Sequence, residues 1–117
     1  MLFVGEILHE KGVDILLNSF LQLDIPDCEL VLLGSGYLSD YLIHPRVKFV
    51  GRVMNEVVQK YMRASDLFVF PSRMEGMPNV VKEAGAIGLP VIASAVGGIP
   101  ELLAHGQRGI LLDELDS

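Results

Sequence analysis

The sequence predicts a doubly wound α/β domain with a parallel sheet of about six strands, and three observations point there. Short apolar runs recur six times, helical patterns fall between them, and glycines or prolines mark the tight connections. The runs are Leu2 to Val4, Glu29 to Leu33, Val47 to Val50, Leu67 to Phe70, Val91 to Ala93 and Ile110 to Leu112. They are β-branched or aromatic and apolar at consecutive positions, as strands covered on both faces require.

Helices are expected between them. From Val13 to Leu23 the residues Val13, Leu16, Leu17 and Phe20 keep helical spacing. A short helix is expected over Leu38 to Ile43. Asn55 to Ala64 carries Val57, Val58, Tyr61 and Met62, with Asn55 as the N-cap. Asn79 to Ile87 follows Pro78, which suits a first helical position, and Pro100 to Ala104 repeats that signal. Gly34-Ser35-Gly36, Gly88-Leu89-Pro90 and Gly97-Gly98 supply the turns.

Bulk properties narrow the class. The chain has 117 residues, half of them hydrophobic, so it is one domain able to bury a core. With no Trp and few aromatics, that core is expected to be aliphatic. No run approaches the roughly 20 apolar residues of a membrane span. Glu6, His9, Glu10 and Lys11 break the apolar start, and no basic segment precedes it, unlike a signal peptide. The lone Cys28 excludes an internal disulfide framework and fits a cytoplasmic location. A net charge of −6 argues against nucleic acid as a partner, and leaves any phosphate ligand to local donors.

In open α/β sheets ligands bind outside the carboxyl ends of the strands. That places the candidate site among residues 5–12, 34–36, 51–54, 71–79 and 94–98. Within it, Pro71 to Ala84 joins a strand to a helix. Gly76 allows close backbone approach, Pro78 sets the helix start, and the first-turn amides form an anion site. Glu75 lies just before those amides, and Glu83 just over one turn inside the helix. Ionised carboxylates only accept hydrogen bonds, so two of them beside an anion site suit a ligand with hydroxyls next to phosphates. A nucleotide sugar is such a ligand. By spacing alone, the plainer reading of Glu75 as a solvated loop acid and Glu83 as a helix-surface acid is the favoured one.

The run EGMPNVVKEAGAIGLPVIAS, followed by VGGIPELLAHGQRGILL, resembles the C-terminal domain of retaining GT-B glycosyltransferases of the glycogen-synthase and mannosyltransferase type, the group 1 glycosyl transferases. FVGEILHEKGVDILLNSF, VLLGSG, VKFVGRV and ASDLFVFPS match in order, so the resemblance covers nearly the whole chain. It implies one half of a GT-B fold, with a Rossmann-like sheet over residues 1–117. It implies that Glu75 contacts the donor sugar as the catalytic-site carboxylate and that Glu83 binds the ribose. Backbone amides at Gly76, Met77 and Asn79 would lie against sugar and diphosphate, and Lys11 would neutralise the diphosphate.

The resemblance further implies a hexosyltransferase that uses a UDP-, GDP- or ADP-sugar, acts in polysaccharide biosynthesis and needs no cofactor or metal. His9, His44 and His105 lack ligand spacing, in keeping with the last point. The N-terminal acceptor domain and terminal crossover helices would lie outside this chain, with any peripheral membrane contact made through that missing half. The 117 residues alone would bind donor without transferring sugar.

One position departs from the family pattern. Glu6 stands where an arginine usually joins Lys11 on the diphosphate. A carboxylate there repels the diphosphate and is placed to compete for Lys11, leaving Arg73 as the candidate compensating cation. Gly51-Arg52-Val53 falls where the family packs the nucleobase. Gly97 and Gly98 are expected to serve the turn before the last helix.

The rival reading is a non-catalytic binding module with a decayed donor site, which Glu6 favours. Dehydrogenases, receiver domains and P-loop ATPases fit poorly. Gly5-Glu6-Ile7-Leu8 is not a G-x-G-x-x-G turn, no G-x-x-x-x-G-K-[ST] occurs, and no acidic cluster follows the first strand.

Overall fold

Apolar runs too short for helices are paired side by side, and the helical patterns pack over them. A computed structural model describes residues 1–23, 25–36, 44–104 and 109–112. In chain order the elements are β1 (Leu2–Val4), α1 (Val13–Gln22), β2 (Leu30–Leu33), β3 (Val47–Gly51), α2 (Asn55–Ala64), β4 (Phe68–Phe70), α3 (Asn79–Ile87), β5 (Val91–Ser94), α4 (Ile99–Leu102) and β6 (Ile110–Leu112). A 3-10 turn over His9–Lys11 precedes α1. The helix expected over Leu38 to Ile43 and the loop residue His105 lie outside the described residues.

The six strands form one sheet in the order β3-β2-β1-β4-β5-β6, and every pairing between neighbours is parallel. This is the doubly wound, Rossmann-like α/β arrangement that the sequence predicts. The strand order reverses between β1 and β4, so the connections leaving those strands diverge and open a crevice at their carboxyl ends.

Burial follows position in the sheet. β1 and β4 are buried at every residue, and β2 and β5 nearly so. The edge strands differ: Val50 of β3 and Ile110 of β6 are exposed. Consecutive apolar residues therefore mark double-sided burial only for the four inner strands.

The core is not purely aliphatic. Phe3, Phe20, Phe68 and Phe70 are buried among the leucines and valines. Phe70 stacks with Phe3 and with Phe68, ring centres 5.9 Å apart in each case, and this apolar block underlies the crevice. Helix α1 buries Val13, Leu16, Leu17 and Phe20, the stripe its periodicity predicts.

Two helix starts differ from expectation. Asn55 is not a cap: Met54 holds that position in extended conformation, and Asn55 is the first helical residue. Val57 and Val58 instead donate to Met54 O at 2.9 and 3.0 Å, closing the first turn with backbone alone. Helix α4 begins at Ile99, one residue before the expected Pro100, whereas α3 spans Asn79–Ile87 as expected, directly after Pro78.

Candidate functional site

Three loops meet over the reversal point: residues 5–12 after β1, 71–78 after β4 and 95–98 after β5. Backbone contacts lock them together. Arg73 N donates to Glu10 O at 2.8 Å, and Gly98 N donates to Gly76 O at 2.6 Å. Two glycines make this proximity possible. A Cβ on Gly12 (φ 72°) would stand 1.8 Å from Pro71 O, and one on Gly97 (φ 55°) would stand 2.0 Å from Glu75 O. The Gly97-Gly98 turn thus braces the glutamate loop as well as starting α4, and only glycine satisfies both the space and the positive φ.

Within this frame Glu75 is tightly held. Lys11 Nζ donates to Glu75 Oε2 at 2.7 Å, with the two side chains only 23% and 10% exposed. The hydroxyl of Ser72, a fully buried residue, lies 2.7 Å from the same oxygen and 2.9 Å from Met74 O. Its single proton makes the stronger bond to the charged acceptor. Among the described residues Oε1 of Glu75 accepts no hydrogen bond, so the half of the carboxylate turned from Lys11 is available to a ligand.

Ser72 is the residue that motif reading missed. Its signal was a polar side chain two residues after the buried strand β4. Ser94, also buried, extends the chain of contacts: its hydroxyl donates to Ser72 O.

The first turn of α3 has no side-chain cap. It lines a cavity of about 250 Å³ through Asn79 and Val80, together with Gly5, Glu6, Lys11 and Glu75. A second, about 530 Å³, is lined by Lys11, Arg73, Glu75, Gly76 and Gly97. A third, about 200 Å³, lies at the ends of β1, β2 and β3 and includes Glu6, Gly34, Ser35, Arg52 and Val53. Shared residues join the three into one crevice.

Of the expected site residues, Lys11, Glu75, Gly76 and Asn79 line it. Gly76 is exposed, with no heavy atom within 4 Å of where a Cβ would lie. Met77 and Glu83 line none of the three cavities. The Met77 side chain is 46% exposed and lies against Gly98. Glu83 Oε2 is buried behind the α3 start with no hydrogen-bond partner, an unsatisfied acceptor of the kind that calls for a ligand or water.

Two expectations about charge change. Lys11 pairs with Glu75 rather than Glu6, because the 3-10 turn and the Gly12–Pro71 approach carry it toward the β4 loop. Arg73 does not replace the missing arginine. Its guanidinium grips Asp14 with both nitrogens at 2.8 and 3.1 Å, and also donates to His9 O. The bond from Arg73 holds the Asp14 carboxyl below its ordinary pKa, against an opposing effect of burial. His9 lies 3.8 Å from the same carboxylate. Arg73 thus pins the β4 loop to α1. Among the described residues, no three His, Cys, Asp or Glu side chains gather as a metal site would need.

Residues 1–117 match the family model for glycosyl transferases group 1. The chain belongs to that family. A GDP-mannose-dependent alpha-mannosyltransferase of Corynebacterium glutamicum is 35% identical over 116 residues, covering 97% of this chain and 27% of its own length. Among solved structures, the sucrose-phosphate synthase of Thermosynechococcus elongatus matches with a TM-score of 0.84 at 33% identity, over 98% of this chain and 32% of the synthase. Anabaena HepE, solved in complex with UDP-glucose, matches with a TM-score of 0.78 at 30% identity, over 94% of this chain and 34% of HepE. This group 1 glycosyltransferase chain therefore spans about a third of the length of such relatives. Among its described residues no helix is long and apolar enough to cross a membrane.

Proposed function

We propose that this chain is the donor-binding half of a retaining GT-B glycosyltransferase, which transfers a hexose from a nucleotide diphosphate sugar to a glycan, lipid or other acceptor. The observation that carries the reading is the cavity where Lys11, Glu75 and the uncapped start of α3 converge. It offers a cation, a helix N-terminus and a pre-oriented carboxylate within one crevice, matching a ligand whose phosphates adjoin its hydroxyls. UDP-glucose, with which HepE was solved in complex, has that chemistry.

In this reading the leaving diphosphate is stabilised electrostatically by the α3 amides and by Lys11. Glu75 Oε1 takes a sugar hydroxyl, while Lys11 and Ser72 hold the other oxygen. Glu75 orients the sugar and need not attack it. Glu83 takes the ribose hydroxyls once its side chain turns its unsatisfied oxygen toward the crevice. Exposed Met54 and Met74 follow β3 and β4 at the rim of the crevice, where an acceptor domain would close over them and exclude water. A cytoplasmic site of action belongs to the same proposal and agrees with the free thiol of Cys28.

Titration calorimetry of UDP-, GDP- and ADP-sugars into the chain tests this. One of them should bind, and Lys11→Ala or Glu83→Ala should weaken it about tenfold or more, the loss of one charge-assisted contact. The second reading, a binding module with a decayed donor site, draws on Glu6, which adds a negative charge to the same cavity. Failure of all three sugars to bind would establish it instead. Acceptor-dependent transfer by the isolated chain would show that the missing domain is dispensable.

A further inference from the structure

The donor reading leaves the base unassigned, and the cavity over β1, β2 and β3 bears two side chains of opposite charge. Its walls are apolar through Val4, Leu33 and Val53, while Glu6, Ser35 and Arg52 supply polar groups. At about 200 Å³ it holds one heteroaromatic ring system. Glu6 and Gly5 also line the adjoining cavity of Lys11 and α3, so a base in the first leaves its phosphates within reach of the second. Among the described residues, neither the Glu6 nor the Arg52 side chain takes part in a hydrogen bond or ion pair. Both are exposed and free to turn toward a ligand.

A carboxylate only accepts hydrogen bonds, and a guanidinium only donates them. Guanine matches both. Its N1–H and N2–H are adjacent parallel donors that fit a carboxylate, and its O6 and N7 are adjacent acceptors that fit an arginine fork. Uracil offers a single N–H flanked by two carbonyls, which a carboxylate repels. Adenine places its amino group beside a ring acceptor, so it satisfies one carboxylate oxygen at most. We infer that Glu6 and Arg52 select guanine, making the donor a guanosine diphosphate sugar. This inference rests on the donor-site reading above. It also gives Glu6 a role: its charge opposes every diphosphate alike, but only guanine returns two charge-assisted hydrogen bonds.

The test is to titrate GDP, IDP, UDP and ADP into the purified chain and into Glu6→Ala. GDP should bind about tenfold or more tighter than the other three, in the range of discrimination by one bidentate contact. IDP lacks only the 2-amino group, so its deficit isolates the carboxylate contact without altering the chain and stands even if the variant does not fold. In Glu6→Ala the GDP:IDP ratio should collapse to about one, while UDP binds as well as before or better because a repelling charge has gone. If none of the four binds the unaltered chain, the donor reading fails and this inference fails with it. If UDP, ADP or IDP binds as tightly as GDP, or the GDP:IDP ratio survives Glu6→Ala, the donor reading stands and guanine selection by Glu6 is wrong.

Discussion

Over β4 the crevice is held by buried hydroxyls, glycine-backbone contacts and paired charges; on its β1–β3 side it is bordered by exposed side chains that take no partner among the described residues. Glu75 is fixed from one side by Lys11 and from below by Ser72, and its loop is braced by Gly97. Glu6 and Arg52 have no such supports. The difference suits a division of labour in the proposed function. The chemistry of transfer needs a carboxylate held in one place, whereas base selection needs only groups that can turn to meet a ring.

The sharpest way to break the comparison is to insert a methyl group at the brace. Gly97→Ala should destabilise the fold by about 2–4 kcal/mol through overpacking and the left-handed backbone, and abolish donor binding. Urea melts and donor titration would show it. Gly76→Ala is its counterpart, with open space around the new Cβ. It should melt within about 0.5 kcal/mol of the parent, yet lose donor affinity if the ligand backs onto that glycine. Equal destabilisation by both would mean that the brace is not specific.

Removing the buried hydroxyl is the next step. Ser72→Ala should cost about 1–2 kcal/mol of stability, because the partly buried Glu75 carboxylate loses a charge-assisted donor. In a two-domain enzyme of the proposed function it should lower kcat more than it raises KM, as expected of a residue that positions Glu75; an effect on KM alone would assign it to ground-state binding.

Asp14→Asn should cost about 1 kcal/mol at neutral pH, modest because both partners keep some solvent access. The folded Asp14 carboxyl titrates below its ordinary value, so its stabilising effect is fully present above that ordinary value and is lost as pH falls through the depressed one. The gap between parent and Asp14→Asn should therefore close on acidification, in melts recorded from neutral pH down to about pH 3. A gap that widened toward acid would contradict the Arg73 pairing.

Arg52→Ala should have the smallest effect on folding, within about 0.5 kcal/mol, since the side chain is exposed and takes no partner among the described residues. A larger loss would show that the β3 side of the crevice is as pre-built as the β4 side.

Much of this architecture was legible one residue at a time. Leu2 to Val4 and Ile110 to Leu112 are strands with the expected limits, and β2 and β4 each begin one residue later than their apolar runs. Val13, Leu16, Leu17 and Phe20 form the buried stripe of α1. Asn55 misled because a capping residue type does not ensure a capping geometry; Met54 carbonyl bonds closed that turn instead. The Lys11–Glu75 pair could not be seen, since 64 residues separate its members and neither position hints at the other. Ser72 and Ser94 were hidden for a related reason: a buried serine looks like any loop serine until its neighbours are known.

Sequence alone determined the parallel sheet, its crevice and the loops that face it, because periodicity and turn chemistry are local properties of the chain. Family membership was legible for a similar reason, being carried by one long, specific run of residues. Tertiary structure alone decided which charges meet. Lys11 went to Glu75, Arg73 to Asp14, and Glu6 and Arg52 found no partner among the described residues at the cavity over β3. Pairing depends on distances of a few ångströms between loops that are remote in sequence, and the close Gly12–Pro71 and Gly97–Glu75 approaches set those distances.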